Sequence, residues 1–299
     1  IFGGNRLKED MPVSYLINFL KKNKIKYLLI TDPTHLNKST HTHKKFKYHL
    51  KKKEFISFKK LNEKKVLDLI SSNTYGVSIN SVWKFTKNII KKFNGKLYNY
   101  HAADLPEARG AANISWKIMS DNNKSISINI HTVDEEFDTG KIVQKKKIKL
   151  SNVFLPKDIL KVISLAEKSF LIDFIVKIFK GKKMIKKTQK GQSFYWPRLN
   201  SDKDGRINWN WDAKSISQFI RAFSRPYNGA FSFINNNKVK IFNAKFSNKK
   251  KFHPFQNGII FRENNKKIFI ANQTGFIEIL KKDFIQKNKI KSLLGKRLK

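Results

Sequence analysis

The sequence predicts an α/β protein in which a parallel sheet covered by helices precedes a small antiparallel β domain. The first half of the 299 residues alternates short apolar strands with helical patterns. Residues 181–205 are rich in Lys, Gly, Pro and polar side chains, which is typical of a linker. Short strands bounded by Asn, Gly and Lys follow it. The hydrophobic content of 40% is enough to build a core in one large or two ordinary domains.

In the first half, apolar runs and helical spacing predict the elements in chain order. We expect strands at 1–2, 27–30, 75–79, 96–100 and 125–133, and helices at 13–20, 66–70, 86–92 and 157–179. Residues 32–53 are polar and basic, so we expect a surface loop there. Because ligands of parallel sheets bind at the carboxyl ends of strands, functional side chains should follow those ends.

The C-terminal part predicts one helix and five strands that form a small barrel or sandwich. We expect the helix at 213–222 and the strands at 230–234, 238–242, 258–261, 267–270 and 275–279. We therefore predict a catalytic domain over 1–188, a linker over 189–205 and a C-terminal domain over 206–299.

Cysteine usage and hydropathy limit the protein class. The chain has no Cys, which excludes disulfides, thiolate metal sites and a Cys nucleophile and fits a cytoplasmic location. No apolar run approaches the roughly 20 residues of a membrane helix, so we expect no membrane partner. The chain begins with Ile1 inside a predicted strand, which indicates a fragment or a trimmed start.

The net charge of +41 favours two interpretations. Only eight of the 63 basic residues are Arg, the residue that binds phosphate in a bidentate fork. A Lys excess spread along a chain that is also rich in Asn, Ile and Phe is typical of A/T-rich codons. We therefore favour composition bias and keep a polyanionic partner as the alternative. His35, His41, His43 and His49 lie in a Lys-rich stretch without acidic partners, so we expect no metal site.

One group of residues suits acyl transfer. Asn99 and His101 are two residues apart at the end of a predicted strand, so their side chains share one face. A carboxylate of the acidic loop 134–140, which follows the next strand, could orient the imidazole. An amide can donate to a developing oxyanion, and an imidazole can move a proton near neutral pH. Spacing alone leaves a purely structural role open for all three.

The stretches LYNYHAADLPEARGAA (97–112) and VDEEFDTGKIV (133–143) carry a resemblance to a known family. Their order and spacing resemble those of the folate-dependent formyltransferases. Residues 195–199, 204–209 and 220–231 resemble the connection to the C-terminal domain in methionyl-tRNA and amino-sugar formyltransferases. The resemblance implies a Rossmann-like catalytic domain, an OB-like barrel after it, and 10-formyltetrahydrofolate as formyl donor.

The resemblance also implies roles for individual residues. Asn99 would polarise the formyl carbonyl, His101 would act as general acid and base, and Asp138 would orient His101. The residues that correspond to the folate pocket are Val82, Trp83, Lys84, Phe85, Val133, Asp134 and Glu135. For Trp83 and Phe85, ordinary core packing is the alternative. The residues expected near the acceptor are Asn5, Arg6, Asp104 and Arg109.

The acceptor is predicted to be the primary amine of a nucleotide-linked amino sugar. The stretch 113–116 (NISW) resembles formyltransferases of surface-sugar pathways, and Asp104 stands where the family commonly has an apolar residue. The runner-up acceptor is methionyl-tRNA, which the barrel and the basic loop 44–53 favour. A third interpretation is a nucleic-acid-binding protein on an inactivated formyltransferase scaffold. A homodimer is left open.

Overall fold

A seven-stranded sheet forms the centre of the N-terminal part of the computed structural model. The structure describes residues 1–3, 12–33, 36, 50–81, 83–121, 124–151, 155–286, 290 and 292–299. The strands of the seven-stranded sheet are β1 (Phe2–Gly3), β2 (Leu29–Thr31), β3 (Phe55–Ser57), β4 (Gly76–Ile79), β5 (Leu97–His101), β7 (Ser125–Thr132) and β8 (Ile142–Lys149). They lie in the order β3, β2, β1, β4, β5, β7, β8. The residues outside the described ranges include Asn5, Arg6, Val82, the histidines at 35, 41, 43 and 49, and most of the stretch 32–53.

The sheet is parallel over five strands and antiparallel at one side. β1 pairs in parallel with β2 and β4, and β5 pairs in parallel with β4. β7 runs antiparallel to β5. Thr132 N donates a hydrogen bond to Lys141 O, and Leu150 N donates one to Lys124 O, each at 2.9 Å. These two hydrogen bonds show that β8 is antiparallel to β7. The expected α/β class is confirmed, but the sequence did not predict β3 or β8, nor the reversal of β7.

Four helices connect the strands of this sheet within the described residues, and a fifth follows β8. They are α1 (Pro12–Lys22), α2 (Glu63–Asp68), α3 (Lys87–Phe93), α4 (Asn113–Met119) and α5 (Pro156–Phe179). Thr86 begins α3 by accepting a hydrogen bond from Ile89 N, as an N-cap residue does. None of the helices in the described ranges is long and apolar enough to cross a membrane.

Side chains of β5 alternate between two apolar layers. Leu97 joins a buried cluster with Phe2, and Phe85 packs edge-on against Phe2 at 4.7 Å between ring centroids. On the other face, Tyr98 packs edge-on against Phe174 of α5 at 5.1 Å. Asn99 and His101 therefore lie on the Leu97 face, which α5 does not cover.

The C-terminal part contains two antiparallel sheets. One has the order β10 (Ala230–Ile234), β11 (Asn237–Ile241), β16 (Phe284–Gln286), and the other has the order β12 (Lys245–Ser247), β15 (Gly275–Leu280), β14 (Lys267–Asn272), β13 (Ile260–Glu263). The helix α7 (Ala213–Ala222) precedes them and is capped by Asp212, which accepts from Ser215 N at 2.9 Å. Short elements β6 (Arg109–Gly110), β9 (Tyr195–Trp196) and α6 (Ser201–Asp204) complete the chain. The expected small β domain is confirmed.

Contacts divide the chain into two compact units. The first comprises Ile1–Gly110, Ile126–Lys149 and Val162–Tyr195, and it contains β5, almost all of β7 and the loop that follows β7. The second comprises Ala111–Ser125, Leu150–Lys161 and Trp196–Lys299.

Candidate active site

The register of β5 and β7 brings the polar side chains of the two strands together. Asn99 lies opposite His131, and His101 lies opposite Asn129. Side chains that lie directly opposite in an antiparallel pair share one face of the sheet. Asn129 is fully buried, and its Nδ2 donates to the backbone oxygens of His101 at 3.2 Å and Ala103 at 2.5 Å. Asn129 therefore fixes the backbone where β5 ends.

The loop after β7 returns to the same face. A Cβ atom on Gly140 would lie 1.6 Å from the carbonyl oxygen of Thr132, so this close approach requires glycine. Lys141 N also donates to Thr132 Oγ1 at 2.9 Å. Asp138 has a φ of 58°, in the left-handed region that costs a non-glycine residue about 1–2 kcal/mol. This closed loop carries the Asp138 carboxylate back to Asn99.

The Asp138 carboxylate accepts hydrogen bonds from two directions. Asn99 Nδ2 donates to Asp138 Oδ1 at 3.2 Å, and Gly110 N donates to Asp138 Oδ2 at 2.9 Å. The same Asn99 Nδ2 lies 3.2 Å from His131 Nε2. Both amide hydrogens of Asn99 thus have protein acceptors.

The tautomer of His101 follows from its neighbours. His101 Nε2 lies 2.9 Å from the carbonyl oxygen of Ala108, and a carbonyl can only accept, so Nε2 carries the hydrogen. Nδ1 lies 3.6 Å from Asp138 Oδ1. In the neutral imidazole Nδ1 is therefore the basic nitrogen, and a proton taken there forms an ion pair with Asp138.

His131 is held in the opposite tautomer. Its Nδ1 lies 2.8 Å from the carbonyl oxygen of Thr132 and must donate to it, which leaves Nε2 as an acceptor for Asn99. The side chain is 2% exposed, and Nε2 lies 3.4 Å from Asp138 Oδ1. The Asn99 amide thus bridges two acceptors that would otherwise repel each other.

These contacts keep Asp138 ionised although it is largely buried. Burial by itself raises the pKa of the carboxyl group. A positive charge on His101, when its imidazole is protonated, is the largest opposing effect. A hydrogen bond from His131, which its Nε2 can donate only in the protonated imidazole, and the hydrogen bond from Gly110 N follow. The net result is a pKa of Asp138 well below its ordinary value. The site therefore holds a permanent anion beside an imidazole that can gain a proton.

The structure brings Asn99, His101 and Asp138 together, as expected from the resemblance. Among the expected folate-pocket residues, Phe85 is buried in the apolar cluster, and Trp83 and Val133 pack partly buried against that cluster. The remaining three are exposed. Lys84 Nζ lies 5.4 Å from the centroid of the Phe137 ring, Asp134 Oδ1 accepts from Thr139 Oγ1, and Glu135 pairs with Lys87 at 3.1 Å.

The expected acceptor residues of the described part lie in the turn after β5. The backbone oxygen of Asp104 accepts from Ala108 N at 2.9 Å, and Arg109 N donates to Phe194 O at 3.0 Å. Arg109 Nε is buried and has no hydrogen-bond partner among the described residues. A buried side-chain donor without a hydrogen-bond partner is uncommon in folded proteins.

Sequence reasoning did not assign a role to His131, Asn129 or Gln189. His131 and Asn129 alternate on a predicted strand, and only the register shows that they face Asn99 and His101. Gln189 donates through Nε2 to the backbone oxygens of Asp138 and Gly140, each at 2.8 Å. Gln189 lies in a Lys-rich stretch and carries no local signal. The described residues contain no group of three or more His, Asp or Glu side chains that could hold a metal.

Comparison with known proteins defines the family. The formyl transferase model matches residues 13–175, more than half of the chain, and the model of the formyl transferase C-terminal domain matches residues 200–294. The chain therefore belongs to the formyl transferase family.

Particular relatives fall into two groups. The methionyl-tRNA formyltransferase of Thermodesulfovibrio yellowstonii is 31% identical over 182 residues, which is 61% of this chain and 56% of that protein. The first curated relatives are matched over 56%, 29% and 46% of their lengths. Among solved structures, the sugar 3N-formyl transferase WlaRD, with dTDP and 5-N-formyl-THF, has a TM-score of 0.68 at 19% identity and 97% coverage of both chains.

A second solved structure is the N-formyltransferase of Helicobacter canadensis with folinic acid and dTDP-3-aminofucose. Its TM-score is 0.64 at 18% identity, with 93% of this chain and 97% of that chain covered. At these identities both structures show a shared fold.

Replacing His131 tests the hydrogen-bond network. In His131→Ala, the Asn99 amide and the Thr132 carbonyl lose buried partners, so we expect the free energy of unfolding to fall by about 2–4 kcal/mol. Urea denaturation at neutral pH measures this loss. The control is His253→Ala, because His253 is exposed and caps a short helical turn, and it should cost about 1 kcal/mol or less. Equal, small losses in both variants would argue against a tight network.

Proposed function

We propose that this protein transfers a formyl group from 10-formyltetrahydrofolate to the primary amine of a nucleotide-linked amino sugar. The observation that carries the proposal is the pairing of a basic imidazole nitrogen, His101 Nδ1, with the ionised Asp138 carboxylate at 3.6 Å. This pairing suits a reaction in which an amine must lose a proton as it attacks a carbonyl carbon. The motif contains no covalent nucleophile, so the nucleophile belongs to the acceptor.

His101 and Asp138 divide the proton transfer between them. Nδ1 of His101 would take the proton from the attacking amine, because Nε2 already donates to Ala108 O. Asp138 would stabilise the resulting imidazolium by charge. The same proton could then be returned from Nδ1 to the leaving nitrogen, so His101 would act as base and then as acid.

Asn99 is the proposed donor to the formyl oxygen. Because both hydrogens of its amide are directed at Asp138 and His131, the formyl oxygen must share or displace one of these acceptors. Asp138 Oδ1 lies 3.6 Å from His101 Nδ1, whereas the ring centroids of His131 and His101 are 6.3 Å apart, so we favour sharing on the Asp138 side.

The residues near the site fit a folate. Trp83 and Val133 offer partly buried apolar surface against one cluster, which suits a flat ring system. Lys84 is exposed and suits a carboxylated tail. When bound, the folate supplies the activated formyl group. We propose that the folate pocket is formed by these described residues: Trp83, Lys84, Phe85, Val133, Asp134 and Glu135.

The acceptor assignment rests on charge and on similarity. Arg109 has a buried Nε without a partner among the described residues, which suits a phosphate, and Asp104 lies in the same turn and suits an amine or hydroxyl group. The two sugar formyltransferase structures cover most of this chain. Ser115 and Trp116, however, already bind within the second unit, to Ala222 O at 2.8 Å and Pro197 O at 3.0 Å. These two residues therefore do not support the sugar assignment.

Methionyl-tRNA is the second candidate acceptor. It is favoured by the relative from Thermodesulfovibrio yellowstonii and by the net charge of +41. A binding protein on an inactive scaffold is less well supported, because Asn99, His101 and Asp138 are all present and in mutual reach. We propose a cytoplasmic location and leave a homodimer open.

Replacing His101 tests the proposed chemistry. With 10-formyltetrahydrofolate and a panel of aminated nucleotide sugars beside charged initiator tRNA, mass spectrometry of the products should show formylation of one acceptor. His101→Ala should lower kcat/KM by about 10²–10⁴-fold, because the general base is lost. His253→Ala, with an exposed imidazole outside the site, should retain activity. Full activity of a folded His101→Ala variant would refute the assignment.

Salt dependence separates the two acceptors. If tRNA is the acceptor and several phosphates are contacted, its affinity should fall on the order of 10²–10³-fold between 50 and 200 mM salt. A nucleotide sugar carries two phosphates, so we expect a loss of about tenfold or less. Equilibrium binding of each acceptor across this range is the measurement. A steep loss for the acceptor that becomes formylated would exclude the sugar proposal.

A further inference from the structure

A segment remote in sequence is anchored beside the loop that carries Asp138. Ile142 N donates to Lys187 O and Lys187 N donates to Ile142 O, both at 2.8 Å. Ile142 begins β8, directly after the loop. The reciprocal pair therefore fixes the start of the segment Lys187 to Phe194, which we call the bracing segment.

One side chain of the bracing segment, Gln189, binds the backbone of the loop that carries Asp138. Gln189 Nε2 has two hydrogens, and it donates to the backbone oxygens of Asp138 and Gly140 at 2.8 Å each. The two carbonyls thus share one rigid amide. One end of this bridge is the carbonyl group of Asp138, whose φ of 58° departs from the conformation that side-chain-bearing residues prefer.

The other end of the bracing segment reaches the carboxylate from a second direction. Phe194 O accepts from Arg109 N at 3.0 Å, and the next residue, Gly110, donates its N–H to Asp138 Oδ2 at 2.9 Å. One segment therefore fixes both the main chain that carries Asp138 and the main chain that binds its side chain.

We propose that Gln189 is a positioning residue for the formyl transfer, which aims the Asp138 carboxylate at His101 by bridging Asp138 O and Gly140 O. The inference rests on the proposed function for its kinetic consequence, but its geometry is independent of the acceptor. The chemistry of Gln189 is specific, because the role needs a donor with two hydrogens. Its Oε1 is buried and has no partner among the described residues, so the side chain is held by its donors alone.

Exchange of the donor for an acceptor tests the proposal. Gln189→Glu keeps the shape but directs a carboxylate at two carbonyl oxygens. We expect kcat to fall about 10–100-fold, with KM for both substrates changed less than about threefold, because the loop moves while the binding surfaces remain. The matched control is Gln192→Ala, an exposed glutamine of the same segment, which should keep wild-type kcat.

A double-mutant cycle separates positioning from general stabilisation. If Gln189 acts through Asp138, then Gln189→Glu should lower kcat less than about threefold in an Asp138→Asn background. The same 10–100-fold loss in both backgrounds, or wild-type kcat in the single variant, would overturn the proposal.

Amide hydrogen exchange at Gly110 provides a readout without activity. The hydrogen bond from Gly110 N to Asp138 Oδ2 should weaken in Gln189→Glu, so exchange at Gly110 should become faster, and it should be unchanged in Gln192→Ala. If the wild-type protein formylates no acceptor, the proposed function fails, but the exchange rate at Gly110 still tests the role of Gln189. Unchanged exchange would overturn the inference alone. If the Gln189→Glu variant does not fold, Gln189→Met, which brings no charge, is used in its place. Failure of both variants to fold would also overturn the inference.

Discussion

The structure of the site depends on one buried anion, the carboxylate of Asp138. Its pKa lies below the ordinary value because hydrogen-bond donors, and a positive charge on His101 when that imidazole is protonated, outweigh the cost of burial. Each of those donors comes from a different part of the chain: Asn99 from β5 and Gly110 N from the turn after it. A buried charge without these partners would be strongly unfavourable, so the fold and the chemistry impose the same requirement.

The sheet provides the frame that meets this requirement. Reversal of β7 beside β5 sets Asn99 against His131, and the tight loop held at Gly140 brings Asp138 back to them. The loop can be short because β8 runs antiparallel to β7, whereas a β8 parallel to β7 would need a long crossover. The antiparallel side of the sheet is therefore what concentrates an amide, two imidazoles and a carboxylate in a small volume.

The sequence alone predicted the elements that follow from periodicity and missed those that follow from pairing. Asn99 and His101 could be placed on one face because the strand period is two, and Asp138 could be placed near them through the family resemblance. His131 also obeys that period, but its partner depends on register, which the sequence does not encode locally. Gln189 binds across 51 residues from a stretch that reads as a linker, so no local pattern indicates its contacts.

The central claim is that Asp138 stays ionised beside His101, and a titration of its carboxyl group by ¹³C NMR tests this most directly. The account predicts that the Asp138 signal keeps its ionised shift as the pH falls through the usual aspartate pKa near 3.9. In a His101→Ala variant the titration should move upward, because the largest influence that lowers the pKa is removed. A midpoint at or above the usual value in the wild type would contradict the account.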